Sequence, residues 1–489
     1  MVYEIDCLLL GYSGLHKASC KEYQILANNH PEIKKVQTSL NSAITYLGTA
    51  LDKKGLTFDF VNSIENDLEL IIEKVKSQKY FTIGISTTIC QSIPHLKNFV
   101  KLLKRINKDI KIIIGGALIV STIRDLLKDG QDVFNETLRD LYADYIVDSI
   151  YGEDRLASLV YNLKNNIPEA SIPNLYIREK DQFRCDLKVA DDYKLEENKV
   201  NWKLFKGRTG GTVVIRTSLS CCFRCSFCSF PVMAGKFQAG DLEHIERELN
   251  EIESLGEVNL VHFIDDTLNV PISRFKKMLR MFIKNRYTFK WHCFLRCQNL
   301  DEEAVQLMSK SGCIGVLLGL ESGSDHVLKV MNKGTKIKNL TRGILLLKKY
   351  NITIIASFFV GFPGETVRSV NDTYRFIKEI DVDFYYIGLW FYDPYTPIAK
   401  RKNEFDLKGI FFDWSHSSMD SEIANKLLIQ IKTLIKSSTL LESINNAFLF
   451  QMLNSYIDVP ALRYCLDSDR NIEVSIPRER IQEFGPKIR

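Results

Sequence analysis

The sequence predicts an α/β protein: an N-terminal doubly wound, Rossmann-like domain over residues 1–165, a linker over 166–208, a partial (βα)6, TIM-like barrel over 209–400 and a mainly helical C-terminal region over 401–489. Three observations support this reading. Short apolar runs alternate with segments whose apolar residues recur three and four positions apart, the pattern of strand-helix-strand units. The alternation stops at the polar stretches NNIPEASIP and KLEENK and then resumes. A chain of 489 residues, 45% of them apolar, is long enough for two to four domains with ordinary cores.

In the first domain the strand candidates are CLLLG (7–11), FDFV (58–61), TIGIS (82–86), KIIIGG (111–116) and YIVD (145–148). Between them lie helical segments, for which Leu40, Ile44, Leu47 and Leu51 show the spacing well. Such sheets bind ligands at the carboxyl ends of their strands, where the loops GYSGLHKAS, STTICQS and GGALIV fall. No GxGxxG follows the first strand, which counts against a dinucleotide.

After residue 208 the strand candidates are TVVIRT (212–217), LVHFID (260–265), FKWHCFLR (289–296), IGVLLGL (314–320), ITIIASFFVG (352–361) and DFYYIGLW (383–390). Helical stretches cover 241–255, 272–285, 338–350 and 366–380. Six such units fit a partial or full parallel barrel, whose chemistry belongs at the carboxyl ends of the strands.

Composition excludes several classes. The formal charge of +5, from 65 basic and 60 acidic side chains, comes without a basic tail, so no nucleic-acid backbone is expected as partner. The run KKMLR (276–280) reads as a solvated helix face. The apolar stretches 112–120 and 352–362 are shorter than the roughly 18–20 residues of a membrane span. Acidic Glu4 and Asp6 stand where a secretory signal carries positive charge, so the expectation is a cytoplasmic protein. Its twelve cysteines are then thiols or metal ligands rather than disulfides.

The stretch SCCFRCSFCSFP (220–231) holds four of them in eight positions. Read from Cys222 it is CxxCxxC, and a bacterial ferredoxin loop then demands cysteine and proline further on. The cysteine position is Val232, and Pro231 comes too early. Zinc on Cys222, Cys225 and Cys228 would need a distant fourth ligand such as Cys293 or Cys297. Read from Cys221 the string is CxxxCxxC, three thiolates for a four-iron cluster, which leaves one iron open to a ligand. This loop follows the first barrel strand, at the edge where a barrel keeps its active site.

CxxxCxxC with aromatic Phe227 before its last cysteine resembles the cluster loop of the radical SAM superfamily. The resemblance implies that Cys221, Cys225 and Cys228 hold a 4Fe-4S cluster whose free iron chelates S-adenosylmethionine, with Cys222 a bystander. Reductive cleavage then gives a 5'-deoxyadenosyl radical. Further strings fall at strand ends in the superfamily's order. In FIDDTLN (263–269), Asp265 and Asp266 could accept from the ammonium of S-adenosylmethionine; a helix cap before Pro271 is the plainer alternative. In LGLESGSDHVLKVMNKG (318–334), Glu321 and Ser322 are candidates for the ribose or the amino-acid moiety. In FFVGFPGET (358–366), Gly361 and Gly364 allow close backbone approach to adenine, and Glu365 and Thr366 start a helix. Arg296 is a candidate for the carboxylate of S-adenosylmethionine.

A doubly wound domain ahead of this barrel resembles the cobalamin-dependent branch. AITYLGTALDKKGL (43–56), IIIGGAL (112–118) with Gly115 and Gly116, DYIVDSIYGEDRLASLV (144–160) and IPNLYIREKDQF (172–183) are similar to segments of those proteins. The resemblance implies cobalamin bound by residues 1–165, without the histidine of a DxHxxG motif, which the sequence lacks. His16, His95, His262, His292 and His326 are therefore assigned structural or pocket roles. The expected enzyme is a methyltransferase: one S-adenosylmethionine methylates Co(I), a second yields the radical, and methyl passes to an unactivated carbon or a phosphinate phosphorus. GRTGGTVVIRTSLSC and WFYDPYTPI resemble the phosphinate P-methyltransferase branch. The implied partners are a small-molecule substrate such as a natural-product intermediate, and an electron donor such as flavodoxin or ferredoxin. Rival readings are a methylthiotransferase with a second cluster on Cys7, Cys20 and Cys90, another radical reaction such as cyclisation, and a cobalamin or metal carrier without catalysis.

Overall fold

The computed structural model describes residues 3–473 except 91, 130, 181 and 192. The described residues form two compact units that interleave in sequence, one from Met1–Cys20, Gln37–Val214 and Arg247–Val258, the other from Lys21–Val36, Ile215–Glu246 and Asn259–Arg489.

The first unit is built on a seven-stranded sheet of order β2-β1-β3-β4-β5-β6-β7. Its strands are β1 (Ile5–Leu10), β2 (Phe58–Val61), β3 (Tyr80–Ser86), β4 (Lys111–Gly115), β5 (Tyr145–Val147), β6 (Leu175–Glu179) and β7 (Gln182–Arg184). The pairs among β1 to β5 are parallel, in a register that sets Leu10 beside Ile85, Ser86 beside Gly115 and Gly115 beside Val147. The carboxyl ends thus share one edge. Near-continuous apolar runs suit strands covered on both faces: Leu8, Ile83, Ile112, Ile114 and Ile146 are fully buried, each worth about 1.5–3 kcal/mol on burial. The antiparallel pair β6 and β7, inside the stretch 166–208, extends this sheet past β5. Further on, the indole of buried Trp202 donates to Glu248 Oε1 at 3.0 Å, and burial pushes the Glu248 carboxyl up to about 7.

A second seven-stranded sheet has the order β19-β15-β14-β13-β12-β11-β8. Its strands are β8 (Thr212–Ile215), β11 (Leu260–Phe263), β12 (Lys290–Leu295), β13 (Cys313–Glu321), β14 (Thr353–Val360), β15 (Phe384–Leu389) and β19 (Thr439–Leu440). The short antiparallel pair β9 (Ser218–Leu219) and β10 (Gln238–Ala239) brackets the cysteine loop. Side chains alternate across the barrel wall. Phe263 and Trp291 pack outward on Phe282 of the helix Ile272–Asn285. Between them His262 and His292 turn to the other face and stack at 4.1 Å, where burial holds both imidazoles neutral.

Helices dominate the region after residue 400, at Ser421–Leu434, Asn446–Ser455 and Val459–Glu473. That region also forms the antiparallel sheet of β16 (Lys408–Ile410), β17 (Asp413–His416) and β18 (Met419–Asp420), and it lends β19 to the barrel. Phe450 of the second helix lies 4.3 Å from the His292 ring, against the inner wall. No helix among the described residues is long and apolar enough to cross a membrane.

One glycine fixes how a barrel helix seats beneath the site. A Cβ at Gly343, in the helix Ile337–Lys349, would lie 2.2 Å from the carbonyl oxygen of Cys297, the residue after Arg296. Backbone cannot give way as a side-chain tip can, so Gly343→Ala is expected to lower stability by about 1–3 kcal/mol. Thermal unfolding of the metal-free protein measures this, and an unchanged midpoint would contradict the close approach.

Candidate active site

The cysteine loop is held at both ends. Ser220 takes a positive φ of 60° to leave β9, and its hydroxyl donates to the carbonyl of Gly235 at 2.8 Å. Within the loop the Cys228 N–H donates to the Cys225 carbonyl at 3.1 Å. Cys225 is buried, Cys221 and Cys228 are half-buried, and Cys222 is exposed. Burial, with the nearby Cys225, Asp266 and Cys221, pushes the Cys228 thiol up to about 11. A bound iron cluster would reverse that preference, because metals take thiolate. Among the described residues no three His, Cys, Asp or Glu side chains already converge on a common point. The loop nevertheless has the donor chemistry of a cluster site: three soft thiols on one short segment, close enough to feel one another, with the fourth cysteine turned to solvent.

Asp265 and Asp266, adjacent in sequence, have separate surroundings. Asp265 is buried, and its carboxylate accepts from the Thr217 N–H at 3.0 Å, from the Thr217 hydroxyl at 3.1 Å and from the Ser218 hydroxyl. It pins the turn between β8 and β9, and Arg274 locks the same turn by donating to the carbonyls of Thr217 and Gly240, each at 2.9 Å. Asp266 reaches solvent on one side, yet surrounding protein and then the Asp265 charge push it up to about 7.

Arg296 ends β12 and is buried. Its guanidinium donates to Cys225 Sγ at 2.7 Å and to the Lys333 carbonyl at 2.8 Å, and it stacks 3.6 Å over the Phe223 ring. Phe227 makes edge contacts with Phe359 at 5.2 Å and Phe362 at 6.4 Å, and Lys333 Nζ sits 5.4 Å over its ring.

β13 ends in an irregularity between Gly319 and Glu321, where Glu321 adopts a φ of 68°. Such a kink re-aims the side chain. Lys333 Nζ donates to Glu321 Oε1 at 2.8 Å, both groups being nearly buried. Ser322 lies 3.2 Å from the Thr373 hydroxyl, which joins it to the helix Val367–Ile380. At the end of β14, Gly361 has a φ of 99°, and a Cβ there would lie 2.2 Å from the Trp414 ring. Its N–H donates to buried Glu365 at 2.5 Å, and burial pushes that carboxyl up to about 7. Thr366 caps the next helix by accepting from the Ser369 N–H.

Gly115 and Gly116 belong to the first unit. With Gly84, Ser86, Ser149 and Gly152 they line a cleft at the carboxyl ends of β3, β4 and β5. A Cβ at Gly116, whose φ is 109°, would lie 2.9 Å from the backbone nitrogens of Thr87 and Thr88.

The structure thus gathers Cys221, Cys225, Cys228, Phe227, Asp266 and Arg296 around one loop and places Glu321, Ser322 and Gly361 at neighbouring strand ends. Two partners escaped sequence reasoning. Lys333 stands in the quoted string LGLESGSDHVLKVMNKG without a motif position, and Thr217, which Asp265 holds, lies 48 residues from it.

A three-thiol loop stands at the mouth of a parallel barrel, and a small-residue cleft lies on a doubly wound unit of the same chain. Two family models match: the radical SAM superfamily at residues 215–377 and the B12 binding domain at residues 37–141. The chain thus carries a segment that matches the radical SAM superfamily, which holds the cysteine loop, and a segment that matches the B12 binding domain, which holds Gly115 and Gly116.

Among its relatives is an uncharacterized methyltransferase of Pyrococcus horikoshii, 28% identical over 172 residues, which are 35% of this chain and 38% of that protein. The anaerobic magnesium-protoporphyrin IX monomethyl ester cyclase of Rubrivivax gelatinosus is 22% identical over 76% of this chain and 68% of its own. The chain therefore spans well under two thirds of the first of these. The solved radical S-adenosylmethionine methyltransferase TsrM from Kitasatospora setae, with cobalamin and a 4Fe-4S cluster bound, shares the fold with a TM-score of 0.68. It is 17% identical and covers 96% of this chain and 100% of its own.

Proposed function

We propose that the protein is a methyltransferase that moves a methyl group to an unactivated carbon or a phosphinate phosphorus of a small molecule. The observation that carries this reading is the presence, in one chain, of both a three-cysteine loop at a barrel mouth and a cleft lined by Gly115 and Gly116 on a B12 binding domain. TsrM and the Pyrococcus protein both carry the name methyltransferase.

When bound, the cofactors supply a primary carbon radical and a transferable methyl group; the chain's own residues bind and position them. Cys221, Cys225 and Cys228 supply the thiolates, and Arg296 steadies Cys225. Asp266, at the solvent-facing end of β11, offers its carboxylate to an ammonium. Asp265 is already committed to Thr217 and Ser218, so its part is to fix the start of the loop. Glu321 and Ser322 line the end of β13, and Gly361 gives its side-chain space to the Trp414 ring at the end of β14. Aromatic Phe227, Phe359 and Phe362 keep water from the cysteine loop.

Cyclisation stands as a second reading, because similarity to the cyclase runs over 76% of the chain. The methylthiotransferase reading finds less support: Cys7 is fully buried within β1, away from the carboxyl edge, with Cys20 and Cys90 also buried.

Anaerobic reconstitution is expected to give about four irons per chain, release of 5'-deoxyadenosine with reductant and S-adenosylmethionine, and cobalamin that survives gel filtration. Gly115→Leu, which fills the cleft, is expected to weaken cobalamin retention about tenfold or more while iron content stays unchanged. About eight irons would favour the methylthiotransferase, and iron without deoxyadenosine under any reductant would end the radical reading.

A further inference from the structure

Beside the carboxyl end of β15, at the rim of the barrel mouth, a pinned aromatic patch faces solvent. Phe391, two residues past β15, stacks on Phe411 at 5.3 Å and meets Phe412 edge-on at 5.1 Å. Phe411 and Phe412 form the turn between β16 and β17. That turn is tight. Tyr392 and Phe411 exchange backbone hydrogen bonds, each at 2.8 Å, and a Cβ at Gly409, whose φ is 78°, would run into the Asp413 carbonyl oxygen. Phe411 itself holds a φ of 56°, a conformation that bulky side chains rarely adopt. Behind the patch, buried Tyr392 stacks on Trp390 at 5.3 Å, and the Trp414 indole donates to the Trp390 carbonyl at 2.9 Å.

Phe391, Ile410, Phe411 and Phe412 are 46%, 48%, 45% and 57% exposed. Single exposed apolar side chains are ordinary, whereas four gathered on a pinned and strained turn mark a binding surface. Its size and border decide what binds. The exposed parts of four such side chains come to roughly 400 Å², about half of what each partner contributes to a stable protein interface. A second copy of the chain would need more. The hairpin 406–413 carries two exposed carboxylates, Asp406 and Asp413, against one cation, Lys408, which pairs with Asp406 at 2.9 Å. An anionic membrane surface calls for a basic border instead. Three residues before Phe391, on the sheet face that Phe359 shares, a Cβ at Gly388 would meet nothing within 4 Å, so the wall leading to the rim has open space in front of it.

We propose that Phe391, Ile410, Phe411 and Phe412 bind the apolar body of a small-molecule substrate, a ring system or hydrocarbon chain, at the entrance to the barrel. The proposal rests on the methyltransferase reading above and adds to it the class of molecule. Position ties the patch to the site: Trp414, three residues past Phe411, fills the space that Gly361 leaves at the end of β14, and β14 is the neighbour of β15. Contact with a part of the substrate remote from the reacting atom supplies binding energy that positions the rest. Apolar contact is non-directional, so the rim selects by hydrophobicity and shape.

The test uses the full-length, metal-free protein and N-phenyl-1-naphthylamine, a neutral apolar fluorophore that accepts energy from nearby tryptophan. Wild type is expected to bind it with micromolar affinity and to lose tryptophan emission, because Trp390 and Trp414, two of four tryptophans in the chain, lie behind the patch. Combined Phe411→Ser and Phe412→Ser should weaken binding about tenfold or more. Phe391→Ser, which leaves the turn untouched, should weaken it about threefold or more. Tyr464→Ser, at an exposed aromatic on the helix Val459–Glu473, is the control and should bind as wild type does. No binding by wild type, or equal binding by the Phe391 variant, would overturn the site. A dimer in sedimentation, or flotation with phosphatidylglycerol vesicles, that the phenylalanine variants abolish would also overturn it, assigning the patch to a second copy or to a membrane. Wild type that binds the fluorophore yet, once reconstituted, releases no deoxyadenosine with dithionite would overturn the radical reading and leave the apolar site standing.

Discussion

Cys221→Ala, Cys225→Ala and Cys228→Ala are each expected to abolish cluster binding and deoxyadenosine release, a loss of more than about 10³-fold, or about 4 kcal/mol in the barrier. Cys222→Ala should keep about four irons and most of the activity. The reasoning does not depend on spacing alone. Cys222 is exposed, whereas Cys225 is buried beneath Arg296, whose Nη2 lies 2.7 Å from its sulfur. That contact fixes the Cys225 side chain on the loop, and thiolate is the form that binds metal. Cys228 returns toward Cys225 through the backbone hydrogen bond at 3.1 Å, so both side chains lie on one tight turn. Iron and sulfide content, the absorption near 400 nm and deoxyadenosine by chromatography read the outcome. Thermal unfolding of the metal-free variants separates loss of the cluster from loss of the fold. Loss at Cys222 with survival at Cys221 would shift the register to CxxCxxC and defeat the assignment.

Much of the scaffold was readable from residue spacing because its elements carry strong periods. The helix expected at 272–285 is observed as Ile272–Asn285, since Phe275, Leu279 and Phe282 mark one buried face and Pro271 stands at its N-cap. The six expected barrel strands appear within two residues of their expected ends, as buried parallel strands of mostly apolar residues should. β6 and β7 were not readable: three to five residues with charged Arg178, Glu179 and Arg184 carry too little pattern, and their pairing is supplied by β5.

The site shows the same division. Four cysteines in one string announce themselves, and the double glycine of IIIGGAL falls in the cleft. Contacts across the barrel leave no local trace. Arg296 reaches Cys225 from 71 residues away, a contact that spacing along the chain does not announce. Asp265 and Asp266 read as a matched pair, yet only tertiary placement decides that one clamps Thr217 while the other reaches solvent. A motif lists residue types, and the fold assigns their partners.

Lys333→Met is expected to destabilise the protein by about 3–5 kcal/mol, because it leaves Glu321 without its cation. The Lys333 and Glu321 side chains are 5% and 11% exposed and 2.8 Å apart, and the strand end is built around their contact. Gly319 leaves the required space: a Cβ there would lie 2.4 Å from Glu321 Oε1 and 3.3 Å from Lys333 Nζ. The φ of 68° at Glu321 turns its carboxylate toward the lysine, and the Lys333 carbonyl in turn accepts from Arg296. One residue therefore couples the end of β13 to the guanidinium that holds Cys225. Removing the charge on both sides, as in Lys333→Met with Glu321→Gln, is expected to recover most of the stability, since a neutral amide costs far less to bury than an isolated carboxylate. Activity should not recover with it if Glu321 contacts S-adenosylmethionine. The cycle is read by urea unfolding of the metal-free protein and by S-adenosylmethionine affinity of the reconstituted one. Equal stability of the single and double variants would show that the ion pair is not what burial makes it; restored affinity in the double variant would remove Glu321 from the cofactor site and leave it the support of Lys333 alone.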